Sequence, residues 1–172
     1  MAEALEGAVP QAVDGLAQRI LDEACRRRLK LATAESCTGG LLASLLTDIP
    51  GCSHAYERGF VVYTDDAKRE LLGVPAAVLE SPGAVSEEAA RAMAEGALRH
   101  SRADLSLAVT GYAEAPPTNP KLAGMVHFGA ARRGGPTLHM MERFGPVGRA
   151  EVRIRSVEAG LKLLWRALAG AT

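Results

Sequence analysis

Strand-like and helix-like segments alternate along the chain, and this alternation is the feature that most restricts its fold. Helices are predicted at residues 13–30, 37–48, 64–72, 86–98 and 149–169, and strands at residues 31–34, 59–63, 104–110, 124–131 and 137–144. Interleaved strands and helices pack most simply as a sheet with helices on both faces. We therefore predict a three-layer α/β/α sandwich with a mixed, roughly five-stranded sheet, in which the last two strands form a hairpin around residues 132–135.

The chain is long enough for one domain with a substantial core. It has 172 residues, of which 48% are hydrophobic and 23% are charged, as in ordinary globular proteins. No repeat, low-complexity segment or linker divides it. We expect a loose N-terminal tail over residues 1–9 and a single domain over residues 10–172.

Charge and cysteine content argue against several classes of function. Twenty basic and twenty acidic side chains cancel, whereas nucleic-acid binders carry a basic excess. The short basic run at 26–28 fits a solvated helix end. No apolar stretch reaches the roughly 20 residues that span a bilayer, and the N-terminus lacks the pattern of a signal peptide. Cys25, Cys37 and Cys52 cannot all pair, which favours reduced thiols and a cytoplasmic location.

The junction after the first strand is the first candidate for chemistry. There the strand runs through Glu35 into Ser36 and then into a predicted helix with Gly39 and Gly40 in its first turn. Ligands bind beyond the carboxyl ends of such strands, and free N–H groups at a helix start stabilise a phosphate or a developing oxyanion. Ser36 is therefore a candidate nucleophile beside an oxyanion site formed by residues 37–40. The alternative is that Ser36 only caps the helix.

A serine nucleophile needs a base, and Lys68 is a candidate. Lys68 lies in the first turns of a predicted helix, where the helix dipole lowers its pKa, and burial would lower that pKa further. A neutral lysine is a competent general base. Tyr63, at the end of a strand, can direct its hydroxyl into the same crevice. The alternative is a surface lysine paired with Asp65 or Asp66.

Three further residues have competing interpretations. Cys37 is a rival nucleophile, because a thiol at a helix start has a lowered pKa, or else a small buried hydrophobic residue. Glu35 can orient a hydroxyl or a lysine. Arg149, near the start of the last helix, can clamp a phosphate or simply lie on the surface.

The four histidines provide no readable catalytic or metal site. None has a recognisable partnership with Ser36, and His127 and His139 in the closing hairpin are expected to face solvent. No pair has metal-ligand spacing on a shared face, so we predict no metal.

Six ordered motifs give a resemblance to a known family. They are Thr33-Ala-Glu-Ser-Cys-Thr-Gly-Gly-Leu-Leu-Ala, Leu46-Thr-Asp-Ile-Pro-Gly, Arg58-Gly-Phe-Val-Val-Tyr63 with Ala67-Lys68, Leu72-Gly-Val, Gly83-Ala-Val-Ser-Glu-Glu and Ala108-Val-Thr-Gly111. In order and separation they resemble the CinA C-terminal domain family from about residue 13 to residue 168. Longer members carry an additional N-terminal domain, so the resemblance is to a stand-alone form. The fold it implies is an anticodon-binding-domain-like α/β/α sandwich.

The resemblance also implies a reaction. Characterised members are nicotinamide-nucleotide amidohydrolases, which convert nicotinamide mononucleotide and water to nicotinate mononucleotide and ammonia. On this resemblance the catalytic residues are Ser36, Tyr63 and Lys68. The expected substrate-binding residues are Glu35, Cys37, Thr38, Gly39, Gly40, Thr110, Gly111 and Arg149. The family implies no metal and no cofactor.

The segment after Gly111 departs from the family pattern. The usual flexible glycines are replaced over 111–124 by a stretch with three prolines, which stiffen the loop and lack N–H donors. Glu114 brings a negative charge to where the family would place a phosphate, and like charges repel unless a cation intervenes. Asp65 replaces a usual Asn, and the Asp that usually precedes the late arginine is missing.

Two functions therefore stay open at this point. One is an amidohydrolase acting on nicotinamide mononucleotide or on a different amide. The other is a catalytically weak or inactive ligand-binding or regulatory protein. We expect a small-molecule substrate and further copies of the same chain as partners, in a homo-oligomer, and neither nucleic acid nor membrane.

Overall fold

A five-stranded mixed sheet forms the centre of the molecule. The computed structural model describes residue 7, residues 9–51 and residues 54–170. The strands are β1 (Leu31–Glu35), β2 (Tyr56–Val61), β3 (Leu105–Gly111), β4 (Met125–Arg132) and β5 (Leu138–Arg143). Their order in the sheet is β2-β1-β3-β4-β5. β1 is parallel to both β2 and β3, whereas β3–β4 and β4–β5 pair antiparallel.

Helices cover both faces of this sheet. They are α1 (Gln11–Arg26), α2 (Leu41–Asp48), α3 (Asp65–Leu72), α4 (Ala76–Val78), α5 (Glu87–Arg99) and α6 (Arg149–Ala169). Apolar residues of α1, α2 and α6 pack in one core on one face, and those of α3 and α5 pack in a second core on the other. The predicted three-layer α/β/α sandwich with a mixed five-stranded sheet is confirmed.

Local capping signals placed several helix ends correctly. Thr64 caps α3 by accepting a hydrogen bond from the Ala67 N–H group, and Gly73 ends the helix in the left-handed region with φ 65°. Ser86 caps α5 in the same way as Thr64 caps α3, through the Ala89 N–H group. The predicted bounds of α6 agree with the structure at both ends.

Two predicted helix boundaries are wrong for identifiable reasons. The first helix ends at Arg26 rather than residue 30, because Arg28 takes a positive φ of 56°. The second begins at Leu41 rather than residue 37, because Gly39 and Gly40 have φ values of 58° and 93°, which no α-helix contains. Three short segments were not predicted: α4, a π-helical turn at Leu79–Gly83 and a 3₁₀ turn at Pro120–Leu122.

The prediction of a loose tail over residues 1–9 is wrong for Val9. Val9 is buried and belongs to the core of α1, α2 and α6. Of the other residues in the predicted tail, residues 1–6 and 8 lie outside the described part of the chain. Cys37 is a free thiol, and Cys52 lies outside the described part of the chain. Among the residues described, no helix has the length and apolar character needed to cross a membrane.

The parallel part of the sheet determines where a site can form. From β1 the chain crosses to β2 on one side, and β3 later pairs with β1 on the other side. At the carboxyl end of β1, Glu35 pairs with Val61 of β2 and with Val109 of β3. Such a point, where successive connections leave to opposite sides, is where open α/β sheets bind ligands.

Candidate active site

Ser36 directly follows β1 at this carboxyl edge. Its N–H group donates to the Val109 carbonyl over 3.0 Å, which prolongs the pairing of β1 with β3 by one residue. The side chain is buried, and its Oγ lies 3.2 Å from Nζ of Lys68. The N-cap position of α2 is Gly40, and the Ser36 side chain accepts no hydrogen bond from a described N–H group of this helix, so Ser36 does not cap it. The hydroxyl is instead directed at an amine.

Lys68 extends from the first turn of α3 into the same place. Only 2% of the residue is exposed, although it sits on a short helix at the edge of the molecule. Besides Ser36, its Nζ donates to the Tyr63 carbonyl over 3.2 Å, and it lies 3.9 Å from Oδ1 of Asp65. Asp66 pairs with Arg69. The alternative of a surface lysine is therefore wrong, since the Asp65 contact is long and the amine is enclosed.

Burial lowers the pKa of Lys68 below its ordinary value of 10.5, while Asp65 and Cys37 act in the opposite direction. Removing the amine from water disfavours its charged form. This is the direction predicted from the sequence. A lysine with a lowered pKa, in contact with a serine hydroxyl, can accept the hydroxyl proton.

The lowered pKa predicts a pH dependence of stability that Lys68→Met would remove. Between the folded pKa of Lys68 and 10.5, the unfolded chain binds more protons than the folded one. The free energy of unfolding of the wild type therefore rises with pH in this window relative to the Lys68→Met variant. Urea denaturation of both proteins at a series of pH values from 7 upward, about one unit apart, measures this difference. Parallel stability curves would contradict it.

Glu35 is a helix cap, not a partner of Ser36 or Lys68. The residue is fully buried, and its carboxylate accepts hydrogen bonds from the N–H groups of Gly40, Leu42 and Ala43 at 2.9–3.1 Å. This corrects the expectations that Glu35 orients a catalytic group or touches substrate. It also means that the N-terminus of α2 already holds an anion, so the helix start is closed to a phosphate.

We expect Glu35→Ala to lower the free energy of unfolding by about 3 kcal/mol, because one buried and two partly buried N–H donors lose their acceptor. Glu35→Gln, which keeps one carbonyl oxygen, should lose less. Glu70→Ala, at an exposed position of α3, is the control and should stay within about 0.5 kcal/mol of the wild type. Chemical denaturation measures all three. A Glu35→Ala protein as stable as the control would show that the cap contributes nothing.

The turn between β1 and α2 offers fewer free N–H donors than the sequence predicts. The Gly39 N–H group donates to the Ser36 carbonyl over 3.2 Å, and that of Gly40 donates to Glu35. In the expected oxyanion site of residues 37–40, this leaves the N–H groups of Cys37 and Thr38. Within the described chain, neither donates to another residue.

Cys37 does not have the properties of a nucleophile. Burial raises the pKa of its thiol to about 12, so the thiolate is not populated near neutral pH. The prediction of a thiol activated by a helix start is therefore wrong, partly because α2 begins four residues later. Cys37 is the small buried residue of the alternative interpretation.

A cavity of about 270 Å³ opens beside Ser36. It is lined by Ser36, Cys37, Tyr63, Val85, Gly111, Tyr112, Ala113, Glu114 and Arg149. Tyr63 is 66% exposed, and its hydroxyl is close enough to Arg149 to contribute to the raised pKa of that residue. In the described part of the chain, the Tyr63 hydroxyl makes no hydrogen bond to Ser36 or Lys68. Tyr63 thus lines the crevice as predicted, while its contact with Lys68 comes from the backbone carbonyl.

Arg149 and Glu114 face each other at the rim of this cavity. Nη2 of Arg149 lies 2.9 Å from Oε2 of Glu114, and the pKa of Arg149 is raised mainly by this hydrogen bond. Glu114 comes from the loop after β3 and Arg149 is the first residue of α6, 35 positions later. The sequence marked both residues for a phosphate site but gave no signal that they pair.

Of the two expected binding residues at the end of β3, Gly111 lines the cavity and Thr110 does not. The Thr110 side chain is buried and donates from its hydroxyl to the Ala84 carbonyl over 2.7 Å, which ties β3 to the loop before α5. A Cβ on Gly111 would lie 2.8 Å from the Met125 carbonyl oxygen, so only glycine fits the close pairing with β4.

Arg153 of α6 contacts the turn between β1 and α2, and the sequence did not reveal this role. It donates over 2.8 Å to the carbonyl of Thr38, whose own hydroxyl is buried without a partner. A surface position on a long helix carries no local sign of such a contact. The pair holds the backbone of residues 38–39 in place next to Ser36.

The two histidines of the hairpin were predicted to face solvent, and the structure shows that they do not. Nδ1 of His127 lies 3.1 Å from Nε2 of His139, and the rings stack on one face of β4 and β5. Nδ1 of His139 also lies 3.3 Å from Glu87. Burial lowers the pKa of both imidazoles. In the part of the chain that the structure describes, no group of three histidine, cysteine or acidic residues is arranged to hold a metal ion.

Comparison with known proteins agrees with the motifs that surround Ser36. The model of the CinA C-terminal domain matches residues 13–168. The chain belongs to the CinA C-terminal domain family. A relative from Symbiobacterium thermophilum, named a putative competence-damage inducible protein, is 51% identical over 130 residues, or 75% of this chain and 29% of the relative. A CinA-like protein from Syntrophus aciditrophicus is 44% identical and matches 94% of this chain but 38% of its own length.

Solved structures of the CinA superfamily share the whole fold. The crystal structure of competence/damage inducible protein CihA from Agrobacterium tumefaciens has a TM-score of 0.88 at 44% identity and covers 94% of this chain and 98% of that one. A CinA superfamily protein from Escherichia coli gives a TM-score of 0.83 at 34% identity, with 90% of each chain covered. The two curated relatives above are much longer, since this chain spans only about a third of each.

Proposed function

We propose that this CinA-family protein is a serine amidohydrolase that releases ammonia from a pyridine carboxamide. The observation that supports this proposal best is the 3.2 Å contact between the Ser36 hydroxyl and the Nζ of a buried lysine with a lowered pKa. A serine beside an amine with a lowered pKa is the arrangement of an activated nucleophile. The cavity next to Ser36 provides room for a substrate.

The proposed reaction uses Lys68 twice. Neutral Lys68 takes the proton of Ser36, and the Ser36 oxygen attacks the carboxamide carbon. The N–H groups of Cys37 and Thr38 stabilise the resulting oxyanion, and the Lys68 ammonium returns its proton to the departing nitrogen as ammonia leaves. Lys68 then deprotonates a water molecule, which attacks the acyl-enzyme, and returns this proton to the Ser36 oxygen as the acid is released. A pyridinium ring favours the first step because its positive charge withdraws electrons from the carbonyl.

The resemblance to the family makes nicotinamide mononucleotide the first substrate to test. Ammonia release should be measured with this compound and with nicotinamide riboside, which carries the same carboxamide without the phosphate. Ammonia from either compound supports the amidohydrolase. If neither compound is hydrolysed and both bind, the second candidate function holds: a ligand-binding protein of this family without catalysis. The feature that favours that candidate is the altered loop, in which Glu114 forms an ion pair with Arg149.

A further inference from the structure

The rim of the candidate cavity carries a charge pair that an anionic substrate would have to break. Arg149 and Glu114 are the charged residues among those that line the cavity, and they lie 2.9 Å apart. Their side chains are 49% and 61% exposed, so both can rearrange when a ligand enters. The two charges cancel, which leaves the rim without net attraction for a phosphate.

We propose that Glu114 is a specificity-determining residue, which makes this site select phosphate-free pyridinium carboxamides over phosphorylated ones. This inference rests on the proposed function, since it concerns the substrate of the same site. A phosphate dianion at Arg149 would displace Glu114 and then remain close to its carboxylate, and both the lost pair and the repulsion weaken binding. A ligand with a net positive charge leaves the pair intact.

The N–H groups of Cys37 and Thr38 are taken by the carboxamide oxyanion in the proposed reaction, and the other described N–H donors of the turn between β1 and α2 are already occupied. The N-terminus of α2, the nearest helix start, already holds the Glu35 carboxylate. The N–H groups of Gly39 and Gly40 donate to Ser36 and Glu35. The amine of Lys68 is buried beneath Ser36 and engages the hydroxyl and the Tyr63 carbonyl. Arg149 is thus the residue on which phosphate recognition depends, and Glu114 controls its availability.

Binding measurements without turnover test the inference. In the Ser36→Ala background, calorimetry should give a lower dissociation constant for nicotinamide riboside than for nicotinamide mononucleotide. Adding Glu114→Gln should shift the ratio of the two constants toward the mononucleotide by about fivefold, the size expected for a partly exposed charge pair. The freed Arg149 then lies at the start of α6, where an anion is also favoured by the helix dipole.

Two further variants make the result specific. Glu158→Gln removes another ion-paired glutamate, 2.6 Å from Lys162 on α6 and outside the lining of this cavity, and should leave the ratio unchanged. Glu114→Gln combined with Arg149→Gln should lose the gain. An unchanged ratio in Glu114→Gln, an equal shift in Glu158→Gln, or binding of neither compound would overturn the inference. Ammonia release by the protein with Ser36 intact tests the proposed function separately.

Discussion

The Ser36→Ala variant is expected to release ammonia at least about a thousandfold more slowly than the wild type, with little change in substrate affinity. The reason is that its Oγ is the proposed attacking atom and lies 3.2 Å from Nζ of Lys68. The neighbouring thiol of Cys37, with a pKa of about 12, remains protonated. Single-turnover ammonia release and calorimetric binding of the same substrate separate the two effects.

A matched control comes from the next helix. Ser44 is exposed on α2, so Ser44→Ala removes a serine hydroxyl outside the site and should keep wild-type turnover. Undiminished ammonia release from Ser36→Ala would overturn the serine mechanism, whatever the substrate. A Ser36→Ala variant that also loses binding, but keeps its helical circular dichroism, would place Ser36 in ligand recognition instead.

Lys68→Arg is expected to lower kcat by about a hundredfold or more, although it keeps a positive charge at this position. Arginine does not lose its proton in proteins, so it cannot act as a general base. For the wild type, kcat/KM should rise with pH as Lys68 becomes neutral, with a midpoint below 10.5 because burial lowers its pKa. This rise should be missing from the residual activity of Lys68→Arg.

Lys162 provides the control for this substitution. It is an exposed lysine on α6, paired with Glu158, and Lys162→Arg should have the pH profile of the wild type. Lys68→Met, which removes the amine with a side chain of similar length, should lose as much activity as Lys68→Arg. Equal activity in Lys68→Arg and wild type would mean that Lys68 contributes its charge and not its basicity.

Features encoded within a few neighbouring residues could be predicted from the sequence. The order of the elements, the caps at Thr64 and Ser86 and the stop at Gly73 all depend on local hydrogen bonds and backbone preferences. The late start of α2 was missed because its two glycines suit both the first turn of a helix and a turn before one. Only their positive φ values decide between these possibilities.

Features that depend on tertiary contacts could not be predicted in this way. The burial of Lys68 follows from the packing of α3 against α5 and from the contacts of its Nζ with Ser36 and Tyr63. A helical position flanked by Ala67 and Arg69 gives no sign of this burial, and the resemblance to the family selected this lysine. Glu35 looks like a site residue because it lies beside Ser36. Its carboxylate nevertheless points to α2, since neighbouring residues on an extended chain face opposite ways.

The candidate site draws on segments that are far apart in the chain. Ser36 follows β1, Lys68 comes from α3, Glu114 follows β3 and Arg149 begins α6. No fragment that ends before residue 149 contains all four. Turnover therefore measures how much of the chain is natively folded, as well as how well the site works. A substitution in the remote core of α1 and α6 will lower activity in proportion to the folded fraction, without any change in the affinity of the molecules that remain folded.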